Sequence, residues 1–380
     1  MGECREFLLM NQDEKVMRFT SERMEYNEIS LEEQERFDVP LPIGFEDIQT
    51  FVEHRQAPKH RKHMQRLLRE SGCEDLEGFL MISKALSLND TYWVKPTDSA
   101  LQWEEVSLYR NDFNEIIAQI AFAGEGETED FSSTSPEYGT GGAYAKCWIR
   151  SKRSEGESGQ ILLLKSGSDT HKIEPFSDFF ASQLAGIFCR NVVPYGLMNW
   201  HEKLVSYCPI FTNEQEGYVP AIRFLEPKKH NQLSYLMSYF SNLGFEEEFR
   251  RMVILDALIV NEDRHAGNYG LMVDNRSQKI LRMAPLFDHN RSLLYGFHGN
   301  VGEEAEYLKQ QLPRIGGDFN TVANSVLTPK LIAELENLRG FSFRQDDAFP
   351  MEQARVDMLS GVVNKQIDHI LGNRQMYYFS

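Results

Sequence analysis

Cysteine and positive charge are both scarce in this sequence, and their scarcity excludes several classes of protein. The 380 residues include 5 cysteines, which are scattered along the chain and never have the C-x-x-C spacing of a zinc site. We therefore expect neither a disulfide framework nor a zinc site. Lysine and arginine number 40 against 57 aspartates and glutamates, which gives a formal net charge of −17. Such a surface is unsuited to direct contact with nucleic acid.

Long apolar runs are also missing. Asp256 interrupts the longest candidate, and no run nears the roughly 18 residues that a membrane-spanning helix needs. The N-terminal residues lack the basic stretch and long apolar core of a signal peptide, and Glu6 departs from the myristoylation pattern. The content of 41% hydrophobic and 12% aromatic residues is that of a folded globular protein. We expect a soluble cytoplasmic protein with no membrane partner, long enough for more than one domain or lobe.

The most informative stretch runs from Asn261 to Asn268. Asp263 is followed five residues later by Asn268, which is the spacing of a phosphotransferase catalytic loop. There the Asp orients and deprotonates the attacking hydroxyl, and the Asn holds a metal. Chance would produce this spacing about once in such a chain, but Arg264 and His265 directly after the Asp lower that expectation to roughly one in a thousand. Arg264 is expected to brace the loop by pairing with an acid.

The surroundings of this loop support the same interpretation. Periodic apolar residues over 246–260 predict a buried helix that ends just before it. Residues 269–273 and 279–283 predict two short strands joined by a turn. This hairpin leads to Asp288, a second acid that can meet Asn268 around one Mg²⁺, since Mg²⁺ takes oxygen ligands and keeps several waters.

A glycine-rich stretch lies upstream, over residues 132–146. Gly139, Gly141 and Gly142 would let backbone N–H groups approach phosphate oxygens with no Cβ in the way. The stretch is neither G-x-G-x-x-G nor a Walker A motif, and a plain hairpin loop would look the same. By itself it indicates a phosphate-binding loop only weakly.

The elements that follow the glycines strengthen the interpretation of this stretch as a phosphate-binding loop. Residues 146–149 and 160–165 predict two strands, and Lys165 ends the second, which is the order found in kinases. Lys165 would neutralise the α- and β-phosphates of ATP, whereas a solvent-facing lysine at a strand end is the alternative. A helix is predicted over 175–188, where kinases place an acid that orients the lysine. Asp178 lies on this helix.

The pattern N-x-D-R-H-x-x-N, a hairpin and then A-P-L-F-D, ending at Asp288, resembles the HipA-like serine/threonine kinases. These form a bacterial branch of the protein-kinase fold and are often encoded as toxins. The resemblance extends from about Ser135 to Leu294 and is strongest over the last forty residues. Asp178 stands where that family usually has Glu, and Glu174 is the substitute candidate. The D-R-H-x-x-N core is also shared with phosphatidylinositol kinases.

The resemblance implies an α+β fold of the bilobal protein-kinase type. A small antiparallel β lobe is expected over residues 89–212 and a mainly helical large lobe over 213–380. Residues 1–88 form an N-terminal extension that could recognise a partner or substrate. Residues 20–38 are rich in Glu and predict a solvated helix or loop, and residues 295–317 predict a mobile segment.

The implied function is ATP- and Mg²⁺-dependent transfer of the γ-phosphate to a protein hydroxyl. Asp263 would receive the hydroxyl proton, while His265 would mainly hydrogen-bond the metal-binding backbone, with direct chemistry as the less favoured role. The nucleotide would be held by the glycines, by Lys165 and by Asp178, and Mg²⁺ by Asn268 and Asp288.

Two other functions remain open from the sequence. One is a phosphatidylinositol or small-molecule kinase with the same loop, and the other is a pseudokinase that binds nucleotide without turnover. The family also implies an antitoxin-type partner and autophosphorylation of a serine in the glycine-rich loop, for which Ser132, Ser133 and Ser135 are positioned. No residue identifies the protein substrate.

Overall fold

The chain divides into two compact units whose segments alternate along the sequence. A computed structural model describes residues 5–23, 29–56, 68–69, 75–123, 136, 145–151, 159–168 and 172–372. The first unit comprises Met1–Lys165, Pro209–Val219 and Met272–Leu281. The second comprises Ser166–Cys208, Pro220–Leu271 and Arg282–Ser380. Each unit is therefore assembled from three separate stretches of chain.

The first unit opens with an antiparallel sheet. Its strands are β1 (Arg5–Asn11), β2 (Glu14–Arg23), β3 (Ile29–Arg36) and β4 (Tyr92–Pro96), in the order β3-β2-β1-β4. Strands β1 and β2 pair as an antiparallel hairpin at the start of the described chain. Strand β4 completes this sheet, although it follows residue 88, where the N-terminal extension was predicted to end. The division of the chain into an extension and two lobes stays a prediction.

Strand β3 corrects the expectation of a solvated helix or loop over residues 20–38. Ile29 and Leu31 are buried, whereas most of the later side chains are exposed. Two apolar residues with the alternating spacing of a strand are enough to hold β3 in place, because β3 lies at the edge of the described sheet and pairs there with β2. The glutamates that suggested a loop point into solvent from a paired strand.

Helices cover the core of this unit. They are α1 (Ile48–Glu53), α2 (Leu76–Ser83), α3 (Trp103–Val106) and α4 (Glu115–Ala123). Asp47 and Asp75 cap α1 and α2, since each side chain accepts a hydrogen bond from a backbone N–H in the first turn. Phe7, Phe19 and Phe51 lie in the core that these helices share with the sheet.

Two further strands of this unit carry the lysine of the predicted nucleotide site. Strands β5 (Lys146–Arg150) and β6 (Ile161–Ser166) pair as antiparallel neighbours, with Lys165 opposite Lys146. They match the two strands that the sequence predicted. The apolar side of β5 packs against α4.

The second unit is mainly helical and begins with α5 (Glu174–Phe188), which confirms the helix predicted there. An antiparallel pair, β7 (Gly196–Trp200) and β8 (Lys203–Pro209), follows. Strands β9 (Glu216–Pro220), β10 (Gly270–Asp274) and β11 (Ile280–Met283), most of whose residues belong to the first unit, form a three-stranded sheet in the order β11-β10-β9, which confirms the predicted hairpin. A short 3₁₀ helix spans Ala221–Arg223.

The other helices of the second unit surround α7. In chain order they are α6 (Leu233–Asn242), α7 (Glu246–Leu258), α8 (Glu304–Leu308), α9 (Phe319–Ser325), α10 (Pro329–Asn337) and α11 (Gln353–Gly372). After three glutamates in its first turn, where negative charge favours the helix dipole, α7 is buried almost all round. It packs against α6, α9 and α11, and its last two residues, Ala257 and Leu258, are fully buried.

These elements confirm the α+β fold class. No helix in the described part of the chain is long and apolar enough to cross a membrane. Of the cysteines that the structure describes, Cys147, Cys189 and Cys208 are buried thiols. Burial raises the pKa of Cys189 to about 12, which keeps it in the unreactive protonated form.

Candidate active site

Most residues of the predicted site belong to the second unit. Asp263, His265 and Asn268 lie on the loop that follows α7, and this unit also contains Asp178 and Asp288. Lys165 lies on β6 in the first unit, where it is buried. The predicted phosphate-binding glycines lie outside the described residues, namely Gly139, Gly141 and Gly142.

The loop leaves α7 through a strained backbone position. Val260 has a φ of 52°, in the left-handed region that β-branched residues rarely adopt. Asn261 then fastens the loop, because its amide nitrogen Nδ2 donates to Asp256 Oδ1 at 2.9 Å and its Oδ1 accepts from the Asp263 N–H at 3.1 Å. Strain of this kind persists only where the surroundings hold it, and it is common at functional sites.

Arg264 is the buried centre of the loop. Its Nε and Nη2 donate to the carboxylate of Asp256 at 3.0 to 3.2 Å. Its Nη1 donates to the carbonyls of Asn268, at 3.0 Å, and Phe287, at 2.6 Å, while Nη2 lies 3.0 Å from His289 Nδ1. Burial opposes the charge, but the pairing with Asp256 raises the pKa of Arg264, so the guanidinium stays protonated. The expected pairing of Arg264 with an acid is confirmed.

Through Arg264 the two metal-binding candidates share one anchor. A single nitrogen holds the carbonyl of Asn268 and the carbonyl that directly precedes Asp288. A planar guanidinium with five donors suits this role, whereas a lysine ammonium could not span the same partners. The segments that carry Asn268 and Asp288 are therefore fixed relative to each other.

The backbone around Asp288 is held from a second side. Asp288 has a left-handed φ of 58°, and its N–H donates to the hydroxyl of Tyr195 at 3.0 Å. The next N–H, of His289, donates to Asp178 Oδ1 at 2.8 Å, and Ser206 Oγ donates to Asp178 Oδ2 at 2.9 Å. Asp178 thus anchors the segment that carries Asp288, while its predicted part in nucleotide binding stays a prediction.

Glu174, the second candidate for the acid that orients Lys165, is also buried. In the part of the chain that the structure describes, neither of its carboxylate oxygens has a hydrogen-bond partner. Buried carboxylates are usually paired, because leaving the charge alone is costly. Gly167 lies so close that a Cβ there would be 2.8 Å from Glu174 Oε2.

Asn268 and Asp288 carry side-chain oxygens of the kind that a magnesium ion takes as ligands. Asn268 Nδ2 donates to the backbone carbonyl of Asp263 at 3.1 Å, which leaves its amide oxygen to act as a ligand. Among the described residues no group of three His, Cys, Asp or Glu side chains is arranged to hold a metal. Mg²⁺ needs no such cage, because one or two side-chain oxygens, phosphates and waters commonly complete its shell.

His265 is exposed and supports the loop backbone. Its Nδ1 accepts a hydrogen bond from the Gly267 N–H at 3.0 Å, and its own N–H donates to the Asp263 carbonyl at 2.7 Å. These contacts lie within the loop, and the predicted role of His265 at a metal-binding backbone stays a prediction. Direct chemistry at His265 stays a prediction.

Two arginines contact the carboxylate of Asp263, whose side chain is 19% exposed. Arg314 Nη2 donates to Oδ1 at 3.1 Å, and Arg291 Nη1 lies 3.5 Å from Oδ2. Ion pairs this close to solvent contribute only about 0–1 kcal/mol each. The neighbouring carboxyl of Glu262 is partly buried; burial raises its pKa, and Arg291 opposes that shift.

Some of these residues could have been found in the sequence and others could not. Asp256 is an acid within the apolar stretch 252–258 of α7, which signals a buried partner such as Arg264. Tyr195, Arg291 and Arg314 carry no comparable signal, because only the folded chain brings them to the loop.

No family model matches the sequence, and no curated protein matches it. Solved structures do match. HipA of Shewanella oneidensis MR-1, solved in complex with HipB and its operator DNA, superposes with a TM-score of 0.61 at 13% identity, over 98% of this chain and 99% of that one. CtkA, a proinflammatory kinase of Helicobacter pylori, gives a TM-score of 0.48 at 17% identity, over 65% of this chain and 96% of that one.

At these identities the similarity concerns the fold. The HipA structure carries the comparison, because it spans nearly the full length of both chains. The resemblance found in the sequence motif is confirmed at that level. The chain therefore has a HipA-like, protein-kinase-like fold.

Proposed function

We propose that this protein is an ATP- and Mg²⁺-dependent serine/threonine protein kinase. The observation that carries the proposal is the pair of hydrogen bonds from Arg264 Nη1 to the carbonyls of Asn268 and Phe287. They hold two candidate metal ligands, Asn268 and Asp288, in fixed register, on a loop that also carries Asp263. Phosphoryl transfer needs mainly such positioning and charge neutralisation.

In the proposed reaction, Asp263 accepts the proton of the acceptor hydroxyl. The hydroxyl oxygen forms a bond to the γ-phosphorus, the bond from this phosphorus to the β–γ bridging oxygen breaks, and ADP leaves with the electron pair. Asn268 and Asp288 would hold Mg²⁺, which supplies positive charge to the phosphate oxygens. Lys165, together with Gly139, Gly141 and Gly142, would neutralise the remaining phosphate charge.

Substitution of Asp263 tests this proposal. We expect Asp263→Asn to abolish transfer of labelled phosphate from ATP to protein, while nucleotide binding and folding persist. Asp347→Asn, at an exposed aspartate away from the loop, is the matched control and should keep the parent rate. Transfer by Asp263→Asn at the parent rate would remove Asp263 from the role of base.

The choice of acceptor separates the other functions. The parent should phosphorylate protein rather than phosphatidylinositol vesicles or free metabolites in parallel assays. Nucleotide binding without transfer to any acceptor would favour a pseudokinase. Phosphoproteomics of cells that express the parent or Asp263→Asn would then identify the substrate.

A protein partner of the antitoxin type and a location in the cytoplasm are part of the proposal. The HipA neighbour is solved together with HipB, which supports a search for a comparable partner here. Affinity purification of the full chain from its own host, followed by mass spectrometry, tests it. Incubation with ATP and Mg²⁺ before phosphosite mapping tests Ser132, Ser133 and Ser135.

A further inference from the structure

The two arginines on Asp263 are held in different ways. Arg291 is tied to Tyr295, because its Nε and Nη2 donate to the tyrosine hydroxyl at 2.9 and 2.6 Å and its guanidinium covers the ring. Arg314 is 56% exposed, and within the described part of the chain Asp263 is the one acceptor that it reaches. Arg314 is therefore the partner that can leave the carboxylate.

The backbone of Arg314 is nevertheless fixed. The next residue, Ile315, is buried in the core of the second unit, and the N–H of Gly316 donates to the Asn231 carbonyl at 3.1 Å. Gly316 has a φ of 81°, and a Cβ there would lie 2.3 Å from Val322 Cγ2, so only glycine allows this close approach. The guanidinium can change partners while its Cα stays beside the loop.

A base that receives a hydroxyl proton needs a free lone pair, and Arg314 occupies one of the lone pairs on Asp263 Oδ1. An acceptor hydroxyl that takes this position displaces the exposed guanidinium, which is then free to bind another anion. Guanidinium groups bind carboxylates and phosphates in planar, two-point geometry. An acceptor that brings its own anion would exchange with Asp263 on Arg314.

We propose that Arg314 determines acceptor specificity by binding a carboxylate or phosphate group of a protein acceptor, close to the hydroxyl that is phosphorylated. This inference rests on the proposed kinase function and assigns its substrate class. In the free protein Asp263 occupies the position of that anion, so Arg314 also restrains the base until a suitable acceptor displaces it. The net charge of −17 attracts cationic acceptors at long range, and the preference must therefore come from the local contact.

The test compares matched serine peptides in which the neighbouring residues are Glu, Gln, Lys or phosphoserine. For the parent we expect kcat/KM to be about tenfold higher with the Glu or phosphoserine peptide than with the Gln peptide. Arg314→Gln should lose this preference, so that its kcat/KM for the Glu and phosphoserine peptides falls to its value for the Gln peptide. A merely structural role for Arg314 would instead lower transfer to all peptides alike.

Arg339→Gln is the matched control, because Arg339 is equally exposed at 56% and pairs with Asp368 at 3.2 Å, away from the loop. It should keep the parent preference. A parent that favours the Lys peptide, or an unchanged Glu-to-Gln ratio in Arg314→Gln, contradicts this inference alone. If the parent phosphorylates none of the peptides, the kinase proposal is contradicted as well.

Discussion

Asp178 Oδ1 accepts a hydrogen bond of 2.8 Å from the backbone N–H of His289, the residue directly after the candidate metal ligand Asp288. The buried carboxylate thus acts on the backbone of the predicted metal-binding segment. The side chain of Asp178 has the right length for this contact, since its other oxygen, Oδ2, accepts a hydrogen bond from Ser206 Oγ at 2.9 Å. Asp178 therefore has a structural role here, because it holds the backbone of the segment that carries Asp288.

Substitution of Asp178 tests that role. Asp178→Ala leaves the His289 N–H without its acceptor in the core, and we expect a loss of about 1–3 kcal/mol in the free energy of unfolding. Asp178→Asn keeps an acceptor oxygen and should lose less, while Ser206→Ala removes only one donor. Urea denaturation followed by fluorescence measures all three. Asp178→Glu should not raise the transfer rate, and a more active Glu variant would show that the short side chain is a defect.

Variants of the buried pair Arg264 and Asp256 distinguish an effect on stability from an effect on the position of the segments that carry Asn268 and Asp288. Arg264→Met leaves a buried carboxylate unpaired, and we expect a loss of about 3–5 kcal/mol in stability together with loss of transfer. The double variant Asp256→Leu, Arg264→Met should recover much of the stability but none of the transfer, because the carbonyls of Asn268 and Phe287 still lack their donor. Arg339→Met is the exposed control. Recovery of transfer in the double variant would contradict the positioning role.

The hydroxyl of Tyr195 should affect the magnesium requirement. Tyr195→Phe removes the acceptor of the Asp288 N–H, so the left-handed backbone of Asp288 loses one restraint. A hydrogen bond of this kind contributes about 0.5–1.5 kcal/mol, and we expect a roughly two- to tenfold rise in the Mg²⁺ concentration for half-maximal transfer.

Tyr235→Phe is the control for this measurement, since its hydroxyl also accepts a backbone N–H, that of Glu226, away from the loop. It should leave the Mg²⁺ dependence at the parent value. Equal shifts in both variants would mean that the effect of Tyr195 is not specific to Asp288.

Glu262 makes stability depend on pH. Because burial raises the pKa of the Glu262 carboxyl in the folded state above its ordinary value of 4.5, the unfolded chain ionises first as pH rises. The free energy of unfolding therefore falls as pH rises above about 4.5, until the carboxyl also ionises in the folded state. At higher pH the loss stays constant. Glu262→Gln should therefore raise Tm at pH 7 and leave it unchanged near pH 4.

The size of this effect is below about 1 kcal/mol, because the carboxyl is partly exposed and solvent screens it. Thermal unfolding at intervals from pH 4 to pH 8 measures it, with Glu352→Gln at an exposed position as control. A variant that is more stable than the parent at pH 4 but not at pH 7 would show that the sign is wrong.

The sequence predicted those parts of the site that depend on local spacing. Asp263 and Asn268 are five residues apart on one loop, and the helix before it and hairpin after it follow from apolar periodicity. Arg314 reaches Asp263 across 51 residues, and neither its backbone anchor nor its partner leaves a pattern in the chain. Strand β3 was missed because its glutamates outnumber the two buried residues that pair it with β2.

The interleaving of the two compact units limits how the protein can be divided. The chain passes from one unit to the other five times, so no single cut releases either unit as one covalent piece. A fragment that ends at residue 165 would lack the returning segments 209–219 and 272–281, which hydrogen-bond to it through the Tyr218 N–H on the Asn89 carbonyl and through Asn11 Nδ2 on the Asn275 carbonyl. Because so many contacts in each unit join distant parts of the chain, we expect folding to be slow and truncation to promote aggregation.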